Sequence, residues 1–475
     1  MDRFRDIALL TVTSLKNISI SYSENNSTTL PGYMPYASFA GASQEPGGIA
    51  PGLPFMMGWQ DKNFAYKAIR HNWITTDTTL SEPYLMSHST SLQIRASFEM
   101  FKALKVDFTA SRTHDKSMEE YYVFNEAGFD GVYNHIETGS YNMSFNIIRT
   151  AFKDVSKTGS LSSSTYNRFL ASRQAIADRC ASARAAISTS YSGLDATTDD
   201  GESLNGRDGY SLTSQDVLIP AFISAYSGRS TSKVFMNFLP NWTAMKPNWK
   251  VTFSGLSNID KLKDIARNIE LGHSYSAKYQ VGSYTTNIEW EQAGDGLSYI
   301  RDLSNNFLPQ YTVSTVTLAE QFSPLFSVSA TLINNITASI AYNRSRQIAL
   351  SLANNQITET YSKEWTLSVG YRFDKLNLIF GKGENQKSTT NDLNMTFSIS
   401  QRDNFTILRR IEEGVNEIAS GTKTTAIKFS ADYAFTQRFS MEFYYDQSLA
   451  RPYVSSSYPT NNINVGVSFQ LSLTQ

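Results

Sequence analysis

Apolar and polar residues alternate regularly along the C-terminal third of the chain. In residues 426–446, AIKFSADYAFTQRFSMEFYYD, apolar side chains occupy every second position on both sides of a short break at Thr436 and Gln437. An extended chain points successive side chains to opposite faces, so the pattern predicts two antiparallel strands joined by a tight turn. The alternation alone does not decide whether the apolar face meets a protein core or a lipid bilayer.

The two faces of these strands, and of the final run INVGVSFQLSLTQ, carry different chemistry. The candidate lipid-facing residues are Ile427, Phe429, Phe439, Met441, Phe443, Val465, Val467 and Phe469. The candidate lumen-facing residues are Lys428, Ser430, Asp432 and Glu442. If the apolar face contacts lipid, the polar face lines a water-filled passage.

The connections between the predicted strands alternate in length. Short turns are predicted at Asp374-Lys375, 402–404 and Thr436-Gln437, and long loops at 382–391, 412–422 and 447–461. Short turns at one end and long loops at the other are typical of outer-membrane barrels. Farther upstream, one parity stays apolar from Ile336 to Leu352 except at Arg344 and Arg346, where a strand would leave the lipid. This run is longer than a bilayer requires, so the strand is expected either to project beyond the membrane or to fold near Arg344.

The rest of the chain divides into further strands and two irregular insertions. Strands are predicted at 5–13, 16–23, 92–101, 104–112, 140–152, 249–256, 268–283 and 311–319, roughly 15 to 17 in all. The predicted divisions are strands in 1–23, 89–152 and 249–475, a Pro/Gly/aromatic-rich loop in 24–88, and a mixed helical insertion at a barrel mouth in 153–248. Within the last, Phe169, Ile176, Cys180, Ala183 and Ile187 have helical spacing.

Composition narrows the fold class. Charged residues make up 18% of the chain, aromatic residues 13%, and the formal net charge is -1. No apolar run approaches the length of a transmembrane helix, and the balanced charge gives no general attraction to nucleic acid. The predicted fold is all-β, an antiparallel transmembrane β-barrel with irregular and helical loop insertions.

Residues that commonly form catalytic or metal sites are scattered. The five histidines lack zinc-site spacing, no G-x-S-x-G segment occurs, and GKGENQ at 381–386 lacks the third glycine of a dinucleotide loop. The acidic segment 199–209 is interpreted as a solvated loop rather than a calcium site because it does not fit the EF-hand spacing. We therefore predict no enzyme activity, no cofactor and no metal.

Several segments together resemble a known family. They are NNSTTLPGYMP (25–35), GGIAPGLPFMMGWQD (47–61), HNWITTDTTLSEPYL (71–85), AEQFSPLFSV (319–328) and RQIALSLANNQITE (346–359). In this order they resemble the C-terminal part of SprA, also called Sov, the outer-membrane translocon of type IX secretion in Bacteroidetes. Its most specific element includes Gly52, Leu53, Pro54, Phe55, Gly58 and Trp59, where glycine and proline fix an irregular backbone and the aromatic rings are expected to be buried.

The resemblance implies a function in the outer membrane of a Gram-negative cell. Folded cargo with C-terminal signal domains would cross from periplasm to surface through a wide lumen. Implied partners are the remainder of the SprA/Sov barrel, a PorV-type shuttle barrel, a periplasmic plug protein and the lipid/LPS membrane. A strand predicted almost at Met1, without a signal peptide, indicates a fragment that begins inside a barrel and whose edge strands pair with other polypeptide.

Two other functions remain open at this stage. One is a complete outer-membrane porin or solute transporter of about 14 to 16 strands. The other is a soluble surface β protein for adhesion or glycan binding. The ending Leu473-Thr474-Gln475 lacks the terminal aromatic residue of many outer-membrane barrels.

Overall fold

Antiparallel β-strands dominate the structure. The computed structural model describes residues 14–36, 39–101, 103–188, 190–197, 203–380, 387–436 and 438–472. In these residues, one 14-stranded sheet accompanies a two-stranded and a three-stranded sheet. The prediction of an all-β antiparallel fold is confirmed. The strand predicted at 5–13 lies outside the described residues.

The strands fall into an N-terminal and a C-terminal group. The first group comprises β1 Leu15–Thr29, β2 Ala42–Glu45, β3 Gly48–Pro51, β4 Tyr84–Phe101, β5 Leu104–Asn125, β6 Gly128–Ser144, β7 Asp195–Thr197, β8 Ser203–Arg207, β9 Tyr210–Ser211 and β10 Asn248–Phe253. The second comprises β11 Ala266–Thr286, β12 Tyr311–Val313, β13 Thr315–Leu332, β14 Ile336–Ser351, β15 Gln356–Phe380, β16 Lys387–Arg410, β17 Val415–Ala434, β18 Phe439–Pro452 and β19 Thr460–Leu471.

The helices are confined to the connections between the long strands. They are α1 Leu53–Met56, α2 Phe64–Arg70, α3 Ser164–Ala185, α4 Gln215–Ser227 and α5 Asp260–Lys263. No helix in the described residues is both long and apolar enough to cross a membrane. The longest, α3, is capped at its N-terminus by Ser163, whose hydroxyl accepts a hydrogen bond from the Tyr166 N–H.

The large sheet follows chain order with one interruption. Its strands lie in the order β1-β4-β5-β10-β11-β13-β14-β15-β16-β17-β18-β19, and β6 pairs with both β5 and β11. β6 and β10 therefore occupy the same place between β5 and β11, one beyond the other. The chain leaves the sheet after Ser144 and returns at Asn248, so residues 145–247 form an insert that departs from the middle of the sheet.

Both insertions have different bounds from those predicted. β1 continues to Thr29 and β4 starts at Tyr84, so the first insert spans 30–83 rather than 24–88. The strand predicted at 140–152 ends at Ser144. The backbone then turns away because the Ile147 N–H donates to the Tyr275 hydroxyl, and the Arg346 guanidinium binds the Ile147 carbonyl.

Two turns predicted in the C-terminal third are wrong. β15 runs through Asp374 and Lys375, with a bulge between Phe373 and Leu376. Lys375 adopts a φ of 56°, and its N–H donates to the Asp392 carboxylate over 3.0 Å. β16 likewise runs through 402–404 without a break.

The predicted sorting of loops in this third is also wrong. The connections are 411–414 and 453–459 instead of 412–422 and 447–461, and β16 already begins at Lys387, inside the loop predicted at 382–391. The turn near Thr436 joins β17 to β18 as predicted, although Gln437 lies outside the described residues. The connections that follow β14, β16 and β18 are 352–355, 411–414 and 453–459. The end of the sheet that was expected to have long loops therefore has short connections here.

Long connections do share one end of the whole sheet. The insert 30–83 and the loop 287–310 leave from Thr29 and Thr286, and the strand register places these residues at the same end, called the insert end here. The opposite end, called the turn end, has the short connections 333–335 and 435–438.

Candidate functional site

The two faces of the 14-stranded sheet have different chemistry along their length. On the polar face, strands β13 to β19 present mostly serine, threonine and asparagine, as in the cross-strand row Ser339, Ser368, Ser398 and Lys428. The few charges there are partly paired, since the Arg402 guanidinium lies 2.8 Å from the Glu364 carboxylate. This face suits contact with water.

The opposite face carries an exposed apolar band near the turn end. Its members on neighbouring strands are Phe326, Val328, Ile340, Tyr342, Trp365, Leu367, Val369, Phe397, Ile399, Ile427, Phe429, Met441, Phe443, Val465 and Val467. Val369, Phe397 and Val467 are 39%, 42% and 51% exposed. Side chains this apolar and this exposed across adjacent strands form a contiguous surface that favours a nonaqueous partner.

Aromatic rings border the apolar band on both sides. Towards the insert end, Tyr342 and Trp365 stack with 4.3 Å between ring centroids, and Phe326 meets Trp365 at 5.2 Å. Towards the turn end, Tyr371 and Phe373 meet at 4.2 Å. Trp365 to Phe373 is nine residues of one strand, which matches the 9 to 11 residues that a tilted β-strand needs to cross a bilayer.

The residues predicted from sequence separate onto these two faces. Ile427, Phe429, Met441, Phe443, Phe439, Val465, Val467 and Phe469 all lie on the apolar face, where Phe439 stacks on Phe469 at 5.9 Å. Lys428, Ser430, Asp432 and Glu442 lie on the polar face, where Lys428 is opposite Asp446 and Asp432 is opposite Glu442. Their contacts with lipid and with a lumen remain predictions.

Both inserts pack on the apolar face, beyond the apolar band, and the insert 30–83 does so against Met86 and Met118. Helix α4 is buried along its length, and the cluster around it takes Leu318, Ile348 and Ile357 from the strands. The strand register assigns these residues to the same face as Ile427. The insertion expected at a barrel mouth therefore lies against the side of the sheet and leaves the polar face to solvent.

Helix α3 packs on α4 through a surface that differs in part from the predicted one. Phe169, Ile176 and Cys180 are buried as the helical spacing indicates, but Ile187 is 58% exposed and lies past the helix end. Arg184 is buried instead, because its guanidinium stacks 3.4 Å from the centre of the Phe307 ring. Cation–π stacking thus joins the insert to the loop 287–310.

Two buried ion pairs attach the insert 145–247 to the sheet. Arg346 lies 2.7 Å from Glu320, and its remaining N–H groups donate to the carbonyls of Ile147 and Thr150. Both charged side chains are almost fully buried. Because insert carbonyls accept the remaining Arg346 hydrogen bonds, the hydrogen bonding of this pair is complete only while the insert is docked.

The second pair lies deeper. Arg409 donates to Glu359 over 2.8 Å with both side chains fully buried, and to the Leu161 carbonyl over 3.0 Å. Tyr226 of α4 also donates to Glu359. Burial, reinforced by the Glu359 carboxylate, raises the pKa of Tyr226 well above its ordinary value, so the phenol remains a donor.

A third cluster joins the insert 30–83 to strand β12. The Glu137 carboxylate lies 2.8 Å from Lys116 and 3.4 Å from Lys62, and accepts a hydrogen bond from Tyr311. Burial alone would raise the pKa of Glu137, but the hydrogen bonds from Lys116 and Tyr311 and the charges of both lysines hold it at about 2. The carboxylate is therefore ionised at neutral pH.

Residues 52–59, the most specific element of the family resemblance, have the irregular backbone expected from their glycines. Gly52 and Gly58 adopt φ values of 89° and 79°, and Phe55 stacks on Phe64 with 4.6 Å between centroids. The prediction that Trp59 is buried is wrong, since its side chain is 74% exposed. Leu53, which shares helix α1 with Pro54, is 57% exposed. The motif therefore presents apolar side chains to solvent.

The described residues contain no group of three His, Cys, Asp or Glu side chains that could hold a metal ion. Of the acidic segment 199–209, Asp199, Asp200 and Glu202 lie outside the described residues. Asp208 is bound by Arg301, with guanidinium–carboxylate distances of 2.6 and 2.8 Å. Its carboxylate is thus occupied by an internal ion pair.

Comparison with known proteins gives only distant similarity. No protein-family model and no curated protein matches the chain. In-vitro folded OmpT, an outer membrane protein of Vibrio cholerae in its trimer form, is 9% identical with a TM-score of 0.19, over 82% of this chain and 94% of that one. An anion-selective porin from Comamonas acidovorans is 8% identical with a TM-score of 0.11, over 83% and 94% of the two chains. TM-scores this low do not establish a shared fold.

Proposed function

We propose that this chain forms part of the wall of a protein-conducting translocon in the outer membrane of a Gram-negative bacterium. The apolar band contacts the lipid, and the polar face lines a water-filled lumen. As in the SprA/Sov family that the sequence resembles, folded cargo proteins would pass from periplasm to cell surface through this lumen. No catalytic centre is required, because the proposed work is passage and not chemistry.

The observation that carries the proposal is the apolar band with its aromatic borders. Its height of nine residues matches the 9 to 11 residues with which a β-strand crosses a bilayer. Outer-membrane barrels have an apolar band about 25 Å tall flanked by aromatic girdles, with short turns on the periplasmic side. By that rule, the turn end faces the periplasm and the insert end faces the cell exterior.

The polar face supports a wide conduit. Both inserts pack on the apolar face, so neither fills the polar side of the sheet. Ser339, Ser368 and Ser398 present short hydroxyl side chains that stay hydrated and give a passing protein little apolar surface to adhere to. A selective small-solute pore would instead need a constriction formed by side chains or loops within its lumen.

The open edges of the sheet support a larger assembly. Within the described residues, β1 pairs only with β4, and β19 pairs only with β18. In lipid, unpaired strand edges are not tolerated, so further polypeptide must pair with both. The remainder of a SprA/Sov-type barrel would fill this role, and a PorV-type shuttle and a periplasmic plug would gate the lumen. These partners follow from the family resemblance.

Site-specific photo-cross-linking in secreting cells tests the proposal. A photoreactive amino acid at Ser398 or Ser430 should form adducts with cargo that carries a C-terminal signal domain. At the matched positions Phe397 and Phe429, one residue away on the other face, adducts should contain lipid instead. Absence of cargo adducts at both serines during active secretion would contradict the translocon, and small-solute conductance by the isolated chain would favour the porin alternative.

A further inference from the structure

A row of cations lies directly above the apolar band on its insert-end side. Cross-strand pairing places Arg344, Lys363, Asp403, Lys423 and Arg451 side by side on β14, β15, β16, β17 and β18. Neighbouring strands are about 4.8 Å apart, so the row extends for about 19 Å parallel to the edge of the band. Four of its five members carry positive charge.

Three of these five side-by-side residues have no ion partner among the described residues. Lys363, Lys423 and Arg451 are exposed, and their charged groups form no ion pair or hydrogen bond with any described residue. Lys363 lies in the electrostatic field of the cations Arg344 and Lys157 and of the anions Asp403 and Asp154. We call Lys363, Lys423 and Arg451 the cation row.

The single carboxylate within the row is already neutralised. Asp403 lies 2.5 Å from the ammonium group of Lys157, which belongs to the insert 145–247, and accepts a hydrogen bond from the Tyr453 hydroxyl over 2.9 Å. Lys157 also lies 4.8 Å from the centre of the Tyr453 ring. Because the insert supplies its own cation to Asp403, this aspartate does not pair with Lys363 or Lys423.

The surroundings of the cation row resemble a lipid–water interface. One residue pair below it, Tyr342 and Trp365 stack at the border of the apolar band. Alongside it, the insert contacts β14 through the Ala151 carbonyl, which accepts a hydrogen bond from Arg344, and contacts β16 through Lys157 and Asp403. Phe152 is 52% exposed and contacts the guanidinium of Arg344 at 4.9 Å. Aromatic rings at the depth of the headgroups and cations just beyond them are typical of membrane-interface anchoring.

We propose that Lys363, Lys423 and Arg451 bind phosphate groups of the outer-leaflet lipid, with a phosphorylated glycolipid as the ligand class. The inference rests on the membrane placement proposed above. Ammonium and guanidinium groups are the usual protein ligands of phosphate, and three unpaired cations at one depth match a layer of lipid phosphates. The bound acyl chains would extend over Leu367, Phe397 and Ile427.

Lipid binding by the purified native complex tests this inference. The probe is lipid A, with phosphatidylcholine and inorganic phosphate as comparison ligands, and bound lipid is counted by native mass spectrometry. We expect the variant K363Q/K423Q/R451Q to lose about tenfold of lipid A binding. The control K250Q/K278Q/K428Q removes three cations from the polar face and should bind lipid A like the wild type.

The outcomes separate the possible explanations. Equal losses in both triple variants, or no loss in either, would overturn the proposal, as would complete displacement of lipid A by inorganic phosphate. If K363Q/K423Q/R451Q fails to fold, the single variants K363Q and R451Q should each bind less lipid A than the single control K428Q, and equal binding by all three would overturn the proposal. A separate measurement reports membrane placement. Brominated acyl chains should quench the fluorescence of Trp365, which is obtained as the difference between the wild type and W365F. Quenching with unchanged lipid A binding rejects the cation row and leaves the proposed function standing.

Discussion

At the scale of single residues, buried charges hold the insert 145–247 on the sheet. Arg409 and Glu359 are fully buried, and their hydrogen bonds reach Tyr226 and the Leu161 carbonyl in the insert. A buried pair contributes little net stability, but removal of one partner leaves an uncompensated charge. These residues therefore make docking of the insert sensitive to single substitutions.

We expect Arg409→Met to weaken docking of the insert by about 3–5 kcal/mol, because Glu359 then loses its cation in a site closed to water. Hydrogen exchange of the amides in α3 and α4, measured in the membrane-embedded protein, reports the change. The double variant E359Q/R409M should recover most of the protection because no buried charge remains. The neighbouring control, Arg410→Met, removes a guanidinium that is 45% exposed and should have little effect.

The depressed pKa of Glu137 predicts that docking of the insert 30–83 weakens in acid. Its pKa is held at about 2 in the folded protein, below the ordinary value of 4.5. A depressed carboxyl pKa contributes stability that is fully present above about pH 4.5 and is lost as the pH falls through about 2. Exchange protection of 30–83 should therefore decline between pH 4.5 and 2, and E137Q should abolish this decline. An unchanged profile in E137Q would contradict the assignment, and E119Q serves as control.

The residues that were predictable from sequence are those set by local alternation. Phe429 and Lys428 separate onto opposite faces because a period of two fixes the face of a strand even when its ends are misjudged. Contacts such as Arg409 with the Leu161 carbonyl join residues 248 positions apart. No local pattern encodes such contacts, so the site of insert docking could not be predicted. The prediction that Trp59 is buried was wrong for a related reason, since composition does not show which side of a loop faces solvent.

At the scale of elements, the strands are much longer than a bilayer requires. β15 has 25 residues, about 80 Å, of which only the nine from Trp365 to Phe373 form its part of the apolar band. Beyond Lys363, from Tyr361 to Ile357, this face of the strand is covered by the insert. Polar segments such as 402–404 therefore mark the edge of the apolar band and not the end of a strand. This explains why turns were predicted where strands continue.

The boundary between the two faces can be tested on one strand with adjacent residues. Phe397→Lys places a charge within the apolar band, and we expect it to destabilise the membrane-embedded protein by about 2–4 kcal/mol. Ser398→Lys places the same charge on the polar face and should be tolerated, although it removes a 3.0 Å hydrogen bond with Ser368. Folded protein in the outer membrane, measured by heat-modifiable migration and urea unfolding, checks both. Similar effects of the two substitutions would argue against lipid contact at Phe397.

At the scale of the whole molecule, the edges of the sheet decide between a wall segment and a closed barrel. β19 exposes Val465, Val467 and Phe469 by more than half, and β1 exposes Ile18 and Ile20 to a similar degree. A closed barrel would pair these two strands and satisfy their backbone groups. In the described part of the chain, β1 and β19 do not pair with each other.

Cysteine pairs across these edges test whether the chain closes on itself. With Cys180 replaced by Ser, we expect Ser21→Cys combined with Asn464→Cys or Ser468→Cys to give no intrachain disulfide under mild oxidation, because β1 and β19 are not neighbours. The positive control is Ser368→Cys with Ser398→Cys, whose side chains face each other across β15 and β16 and already lie 3.0 Å apart. In native membranes, the edge cysteines should instead cross-link to another polypeptide that contributes the adjoining strands. Efficient intrachain bonding between β1 and β19 would show a self-contained barrel, and would replace the translocon wall with a pore formed by this chain alone.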